Sequence, residues 1–158
     1  MKKVIILSTL LLFSYSFSQS LTNVKAKNIK GEMINVDLLD DEKPLVLSFW
    51  ATWCLPCLEE LGHVSEKLPD WKKEKDFNFV ALSIDDPRTA QKVKTMINGK
   101  GWEFDQVLLD PSQSIKRQLN VNNVPTTLVY YKGKLVYSHV GFAPGDEVEL
   151  FEKIKALQ

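Results

Sequence analysis

The sequence predicts an α/β fold in which a mixed central sheet is flanked by helices. Almost continuous apolar runs, such as residues 45–50, are typical of strands that are covered on both faces. Apolar residues at three- and four-residue steps indicate amphipathic helices between them. The resulting order, β-β-β-α-β-α-β-α-β-β-α, combines parallel crossovers with antiparallel hairpins. We expect residues 21–158 to form one domain.

The predicted elements follow one another without a linker or an internal repeat. In chain order they are strands at residues 24–29, 33–38 and 45–50, a helix starting near 58, a strand at 77–84, a helix from 86 to about 99, a strand at 106–109, a helix at 111–119, strands at 126–131 and 135–140, and a helix at 146–157. In the last helix the apolar positions predicted to face the core are Val148, Leu150, Phe151 and Ile154.

Turn and capping residues determine the boundaries of these elements. Gly31 and Gly133 mark the turns of the two hairpins. Pro69 is expected to kink or end the first helix, because proline cannot donate the backbone hydrogen bond of a helix interior. Asp86 followed by Pro87 is typical of an N-cap and a first helical residue, so we expect the second helix to begin there.

The N-terminus has the layout of a secretory signal peptide. Two lysines precede an apolar run at residues 4–13, and small residues follow at 14–20. We expect residues 1–18 to be removed, with cleavage after Ser20 as the alternative. An uncleaved membrane anchor is the weaker interpretation, because the apolar run is shorter than the about 20 residues that span a bilayer. The sequence therefore predicts export to the periplasm or cell envelope.

Charge and cysteine content exclude several classes of function. Twenty basic residues balance twenty acidic ones, so there is no electrostatic reason to expect nucleic-acid binding. The two cysteines are too few for a four-thiolate zinc site, and His63 and His139 are the histidines that could add ligands. We interpret both histidines as incidental, since the sequence shows no partner for them. We expect no metal and no cofactor other than a redox-active disulfide.

The two cysteines lie in a W-C-L-P-C motif at residues 53–57, where a buried strand ends and a helix begins. At this spacing Cys54 and Cys57 are close enough to form a disulfide. The positive end of the helix favours a thiolate at Cys54, and Cys57 lies one turn deeper, which suits a resolving thiol. As a structural bridge, so short a loop contributes only roughly 2 kcal/mol. Redox activity is therefore favoured over an inert bridge.

A second motif, Val124-Pro125-Thr126, makes the resemblance specific. Together with F-W-A-T-W-C-L-P-C at residues 49–57, it resembles the thioredoxin fold, and within it the TlpA/ResA-like exported thiol–disulfide oxidoreductases. The resemblance covers about residues 22–157, including the N-terminal β-hairpin and a strand-helix insertion between the motifs. It implies that Pro125 is a cis-proline opposite the disulfide, and that the backbone around it binds an extended substrate chain.

Two positions, 48 and 60, bear on how a proton leaves the resolving cysteine, Cys57. Thioredoxin carries a buried Asp where this chain has Ser48, whose hydroxyl we expect to bond to the backbone. Members of the resembled family often place a Glu three residues after the second cysteine, as Glu60 is here. This spacing brings Glu60 next to Cys57, and burial would raise its pKa, so we predict a proton acceptor. The alternative is a solvated side chain like that of Glu59.

The tryptophans around the motif are predicted to have different roles. We expect Trp50 to lie mainly in the core and Trp53 to be partly exposed, as an apolar contact for substrate beside Cys54. A peroxidase is not indicated, because Leu47 and Ala51 replace the Pro and Thr of the P-x-x-x-T-x-x-C pattern.

The leading prediction is an exported reductase of protein disulfides. By resemblance, a membrane thiol transporter supplies its electrons, and cytochrome c maturation is one process that such an enzyme serves. The first alternative is the same chemistry in the opposite direction, as a disulfide oxidase or isomerase. The alternative of another class is a secreted binding module with an inert Cys54–Cys57 bridge.

Overall fold

The computed structural model of the protein describes residues 21–40 and 42–158. The predicted signal peptide lies outside these residues. The elements, in chain order, are β1 (Lys25–Asn28), β2 (Met33–Asn35), a 3₁₀ helix (Val36–Asp40), β3 (Leu45–Trp50), α1 (Leu55–Glu74), β4 (Asn78–Ser83), α2 (Ala90–Lys100), β5 (Gln106–Leu109), α3 (Ser114–Gln118), β6 (Thr126–Tyr131), β7 (Lys134–Val140) and α4 (Asp146–Lys155).

The strands form one mixed sheet, as predicted. Its order is β2-β1-β5-β4-β3-β6-β7; β3, β4 and β5 are parallel, and the remaining pairs are antiparallel. Every residue of β3 is buried, which explains its continuous apolar run, since a central strand is covered on both faces. The N-terminal hairpin extends the sheet beyond β5.

The register of β3 and β6 positions the two sequence motifs at the same end of the sheet. Phe49, near the end of β3, is paired with Thr126 at the start of the antiparallel β6. The loop to Cys54 follows β3 directly, and Pro125 immediately precedes β6. The motifs are therefore neighbours in space although they are far apart in sequence.

Helices α1 and α4 pack against each other beside this sheet. The rings of Trp71 on α1 and Phe151 on α4 are stacked, with centroids 4.7 Å apart. Both side chains are buried, together with the fully buried Phe77. This aromatic contact joins the C-terminal end of α1 to α4.

The helix boundaries correct two predictions. Pro69 does not end α1: it is exposed and the helix runs through it to Glu74, so the alternative that this proline ends the helix is wrong. Asp86 does not cap α2 directly. Its carboxylate accepts hydrogen bonds from the backbone N–H groups of Arg88 and Thr89, at 2.9 and 3.1 Å, which stabilises a turn, and α2 begins at Ala90.

Two further expectations differ from the structure. The second strand of the hairpin is shorter than predicted, because residues 36–40 form a 3₁₀ helix. On α4, Val148 is half exposed and Glu147 is buried in its place. The Glu147 carboxylate turns inward because it accepts the backbone N–H of Gly145 at 2.8 Å and lies 3.4 Å from His63 Nδ1.

Candidate active site

The start of α1 holds the two cysteines as a disulfide. Cys54 is the N-cap, in an extended conformation, and Cys57 lies in the first turn; their Cα atoms are 5.3 Å apart. Cys54 is 6% exposed and Cys57 is completely buried. Cys54 is therefore the cysteine that a partner can reach, which agrees with the predicted order of the two thiols.

The surface around Cys54 is apolar. Trp53 is 62% exposed and Leu55 is 74% exposed, whereas Trp50 is completely buried. The predictions for both tryptophans are thus confirmed in position. Exposed large apolar side chains on either side of a cysteine form a surface suited to a partner chain.

Asp85 anchors the loop that leads to Cys54, a role that sequence analysis missed. Its buried carboxylate accepts the backbone N–H of Thr52 at 2.9 Å and the Thr52 hydroxyl at 2.6 Å. The Ser83 hydroxyl donates to the same carboxylate at 2.8 Å. The available signal was its place two residues after the end of β4, since the ends of the parallel strands β3 and β4 lie side by side.

The Val124–Pro125 peptide bond is cis, the geometry that the resemblance implies. The Pro125 carbonyl accepts the N–H of Gly141 at 2.9 Å, and the Thr126 hydroxyl donates to the carbonyl of Asn123 at 2.8 Å. Pro125 and Thr126 are buried and Val124 is half-buried. Of the three residues of this motif that are predicted to bind substrate, Val124 thus keeps some exposed surface, and the substrate-binding role itself stays a prediction.

Glu60 is buried behind the disulfide, on the turn of α1 that follows Cys57. It is 5% exposed, whereas Glu59 is exposed, so the interpretation of Glu60 as a solvated surface residue is wrong. The hydroxyls of Ser48, at 3.4 Å, and Thr127 donate to Glu60 Oε1. Ser48 therefore contacts the carboxyl group, and the predicted bond to the backbone is not what the structure shows.

Burial changes the acidity of this carboxyl group. It raises the pKa of Glu60 from the ordinary value of 4.5 to about 7, because an ionised carboxylate loses hydration there, and the two hydroxyls oppose the rise in part. Thr127 was missed as a contributor, because its contact with Glu60 depends on strand register. A carboxyl group with a pKa near neutrality can both accept and release a proton at physiological pH.

The two histidines are not incidental, contrary to the sequence-based interpretation. His139 Nε2 lies 3.1 Å from Asp146 Oδ2, and His63 Nδ1 lies 3.4 Å from Glu147 Oε1. Both carboxylates belong to α4, which the sequence could not place beside β7 and α1. Each histidine therefore links α4 to the element that carries it.

Two features are absent from the part of the chain that the structure describes, residues 21–40 and 42–158. These residues contain no group of three or more His, Cys, Asp or Glu side chains arranged to hold a metal ion. Within the same ranges, none of the helices has the length and apolar character that crossing a bilayer requires.

Comparison with known proteins agrees with this geometry. The profile of the AhpC/TSA family matches residues 18–138. The chain is 32% identical over 132 residues to "Thiol-disulfide oxidoreductase ResA" of Bacillus thuringiensis, covering 83% of this chain and 73% of the relative. A relative of the same name from Halalkalibacterium halodurans is 28% identical, with 84% and 73% covered.

Solved structures with the same fold include two of similar length. An uncharacterised thioredoxin-like protein from Porphyromonas gingivalis has a TM-score of 0.72 and 41% identity, covering 84% of this chain and 88% of that one. A protein from Chlorobium tepidum, provisionally named as the thiol:disulfide interchange protein DsbE, has a TM-score of 0.74 and 25% identity, covering 88% and 95%. The mixed sheet with its flanking helices is thus a thioredoxin-like fold. The chain belongs to the AhpC/TSA family and is, with its Cys54–Cys57 pair, a thiol–disulfide oxidoreductase.

Proposed function

We propose that the protein is an exported enzyme that reduces disulfides in other proteins through Cys54 and Cys57. The observation that carries this proposal is the disulfide at the start of α1, in which one cysteine keeps exposed surface and the other is buried in front of Glu60. Export is supported by the signal-peptide layout of residues 1–18. Protein disulfides are supported as the substrates by the exposed apolar side chains of Trp53 and Leu55 beside Cys54.

The catalytic cycle follows from the order of the two thiols. The Cys54 thiolate attacks a substrate disulfide, forms a mixed disulfide and releases one substrate thiolate. Cys57 then gives its proton to Glu60, and its thiolate attacks Cys54 Sγ. The second substrate thiolate leaves, and the enzyme holds the Cys54–Cys57 disulfide. A membrane thiol transporter, the donor that the resemblance implies, reduces it again.

The reductase direction is supported by the charges around the pair. A disulfide is a strong oxidant when its reduced, thiolate-bearing form is stabilised. The residues that follow Cys54 in the first turn are uncharged, and behind them lies the buried carboxyl group of Glu60. An ionised carboxylate there repels a neighbouring thiolate, which disfavours the reduced form and lowers the reduction potential.

Covalent trapping tests the proposed substrates. A Cys57→Ser variant expressed with its natural N-terminus should accumulate mixed disulfides between Cys54 and exported proteins, because the resolving thiol is missing. The identity of the trapped proteins also indicates the process that the enzyme serves, and haem-binding proteins would point to cytochrome c maturation. A variant that captures no protein, beside a Cys54→Ser control that also captures none, would favour an inert bridge in a binding module.

Equilibration with glutathione tests the direction. A reductase should have a reduction potential near that of thioredoxin, about −270 mV, whereas an oxidase should approach the about −120 mV of a strongly oxidising protein. A measured value at the oxidising end would replace the reductase assignment with the oxidase or isomerase alternative.

A further inference from the structure

A small cavity lies between α1, the edge of the sheet and the start of α4. Its volume of about 10 Å³ is about the space that one water molecule needs. Glu60 lines it from α1, Thr127 and His139 line it from β6 and β7, and Asp146 lines it from α4. The cavity therefore connects the buried carboxyl group of the redox site with a histidine–aspartate pair.

Strand register brings these polar groups together. Thr127 on β6 is paired with Ser48 on β3 and with His139 on β7, so the three side chains form a row on one face of the sheet. Directly paired residues have Cβ atoms about 4.5–5.5 Å apart. The first two members of this row donate to Glu60 Oε1, and His139 is the next member outward.

One carboxyl oxygen of Glu60 is buried without a hydrogen bond. This atom, Oε2, has no hydrogen-bond partner among the described residues. A buried carboxylate oxygen without a partner is costly, and most such atoms in proteins are satisfied by protein groups or by ordered water. A water molecule in the adjoining cavity would supply this hydrogen bond and would at the same time face His139.

His139 and Asp146 form the outer end of the path. Their side chains are 35% and 31% exposed, against 5% for Glu60, so polar groups lead from the interior to solvent. Asp146 Oδ2 accepts the backbone N–H of Ala143 at 2.7 Å and lies 3.1 Å from His139 Nε2. Because a carboxylate only accepts hydrogen bonds, Nε2 is assigned as the donor in this contact, and Nδ1 is the ring nitrogen left for a second hydrogen bond.

We propose that one water molecule in this cavity carries protons between Glu60 and the His139–Asp146 pair, which exchanges them with solvent. The inference rests on the proposed role of Glu60 as the acceptor of the Cys57 proton. His139 acts through Glu60 and does not contact the reacting sulfur atoms, so it is a relay residue.

The relay completes the proton balance of the resolving step. The Cys57 thiolate attacks Cys54 Sγ, the Cys54–Cys57 bond forms, the bond from Cys54 to the substrate breaks, and the electron pair leaves on the substrate thiolate. The proton of Cys57 moves to Glu60, then through the water to His139 and to solvent. When the disulfide is reduced again, the same path delivers a proton from solvent to Cys57.

Other ionisable groups lie on the elements that pack around the pair. They are Glu60, His63 and Lys67 on α1, Tyr137 on β7, and Glu147, Glu149 and Lys153 on α4. A protonated His139 lowers the pKa of Glu60, and burial raises it more. The relay should therefore matter most below pH 7, where Glu60 is protonated and must release that proton before it can accept another.

The test compares two histidines that each face a carboxylate of α4. His139→Phe keeps a ring but removes its nitrogens, and His63→Phe is the matched control, because His63 does not line the cavity. The reduced protein is mixed with an aromatic disulfide whose halves become coloured thiolates on release. Cys54 attack releases the first half, and resolution by Cys57 releases the second.

The relay predicts that substitutions of His139 slow the second phase alone. At pH 6, His139→Phe should slow the second phase by at least about tenfold, leave the first unchanged, and recover when imidazole buffer supplies a mobile proton carrier. His63→Phe should match the unaltered protein. His139→Gln, which keeps a donor towards Asp146, should be as slow as His139→Phe and serves if the larger change disturbs folding.

Opposite results overturn the proposal. A second phase in both His139 variants with the unaltered rate and pH profile removes the relay, and so does a slowing that imidazole does not restore. Glu60→Gln separates this inference from the function beneath it. If Glu60→Gln leaves the second phase unchanged, the role of Glu60 fails; if it slows that phase while the His139 variants do not, only the relay fails.

Discussion

The N-terminal end of α1 and its second turn lie in opposite environments, although they belong to one helix. The N-terminal end carries the N-cap Cys54 between the exposed Trp53 and Leu55. The second turn carries Glu60, enclosed by hydroxyl groups of β3 and β6. Under the proposed function, sulfur exchange takes place at the surface, where a protein substrate can dock, and the accompanying proton moves through the interior.

One strand supports both environments. The end of β3 leads into the loop that Asp85 holds through Thr52, and this loop fixes Cys54. The middle of β3 supplies Ser48 to Glu60. The two sites can therefore be disturbed separately, and the variants below are ordered from the largest expected effect to the smallest.

Removing each reactive group should break the contrast in a different way. Cys54→Ser should abolish exchange with any disulfide, because no accessible thiolate remains. Glu60→Gln should leave the attack by Cys54 intact and slow the resolving step by about 10²-fold or more, the usual contribution of a positioned base. Two-phase release of an aromatic disulfide distinguishes them. If Glu60→Gln slowed both phases equally, the attack by Cys54 would not be independent of Glu60.

The oxidised protein should lose stability as Glu60 ionises. Because its folded-state pKa, about 7, exceeds the ordinary 4.5, the folded protein retains a proton that the unfolded chain releases between these pH values. The contribution of protonated Glu60 to stability should therefore be full below pH 4.5 and fall by roughly 3 kcal/mol by about pH 7.

Urea unfolding at a series of pH values measures this loss. Glu60→Gln should flatten the profile across that window, whereas the exposed neighbour in Glu59→Gln should leave it as in the unaltered protein. A profile that stays steep in Glu60→Gln would assign the dependence to another group.

Local patterns predicted most of the fold. The apolar runs located β3, β4 and β6 to within a residue, since a buried strand needs such a run whatever surrounds it. The start of α2 was wrong because Asp86 can cap a turn as well as a helix. The inward face of α4 was misplaced at Val148 because hydrogen bonds turn Glu147 to the interior.

The candidate site was predicted where it is local in sequence. The spacing of Cys54, Cys57 and Glu60 on one helix fixes their relative positions. The row that joins Ser48, Thr127 and His139 depends on the register of three strands, which a single sequence does not specify. The partners of both histidines come from α4, whose docking is equally a matter of tertiary packing.

The loop before Cys54 should be sensitive to Asp85. Asp85→Ala leaves the half-buried donors of Thr52 and the buried hydroxyl of Ser83 without this acceptor, so we expect a loss of about 2 kcal/mol in stability and a slower attack by Cys54. Asp86→Ala, which removes a cap from an exposed turn, is the control and should cost less stability than Asp85→Ala. A stable Asp85→Ala with an unchanged rate of attack would show that the loop holds Cys54 without this carboxylate.

The smallest effect is expected at the exposed surface beside Cys54. Trp53→Ala should change the free energy of unfolding by less than about 0.5 kcal/mol, because the side chain is 62% exposed. It should nevertheless raise KM for protein disulfides several-fold and leave exchange with a small disulfide unaffected. Met33→Ala removes a side chain of similar exposure, 59%, on the opposite edge strand β2 and should change neither. Equal kinetics for both variants would place the substrate contact elsewhere, since only a docking surface distinguishes a large substrate from a small one.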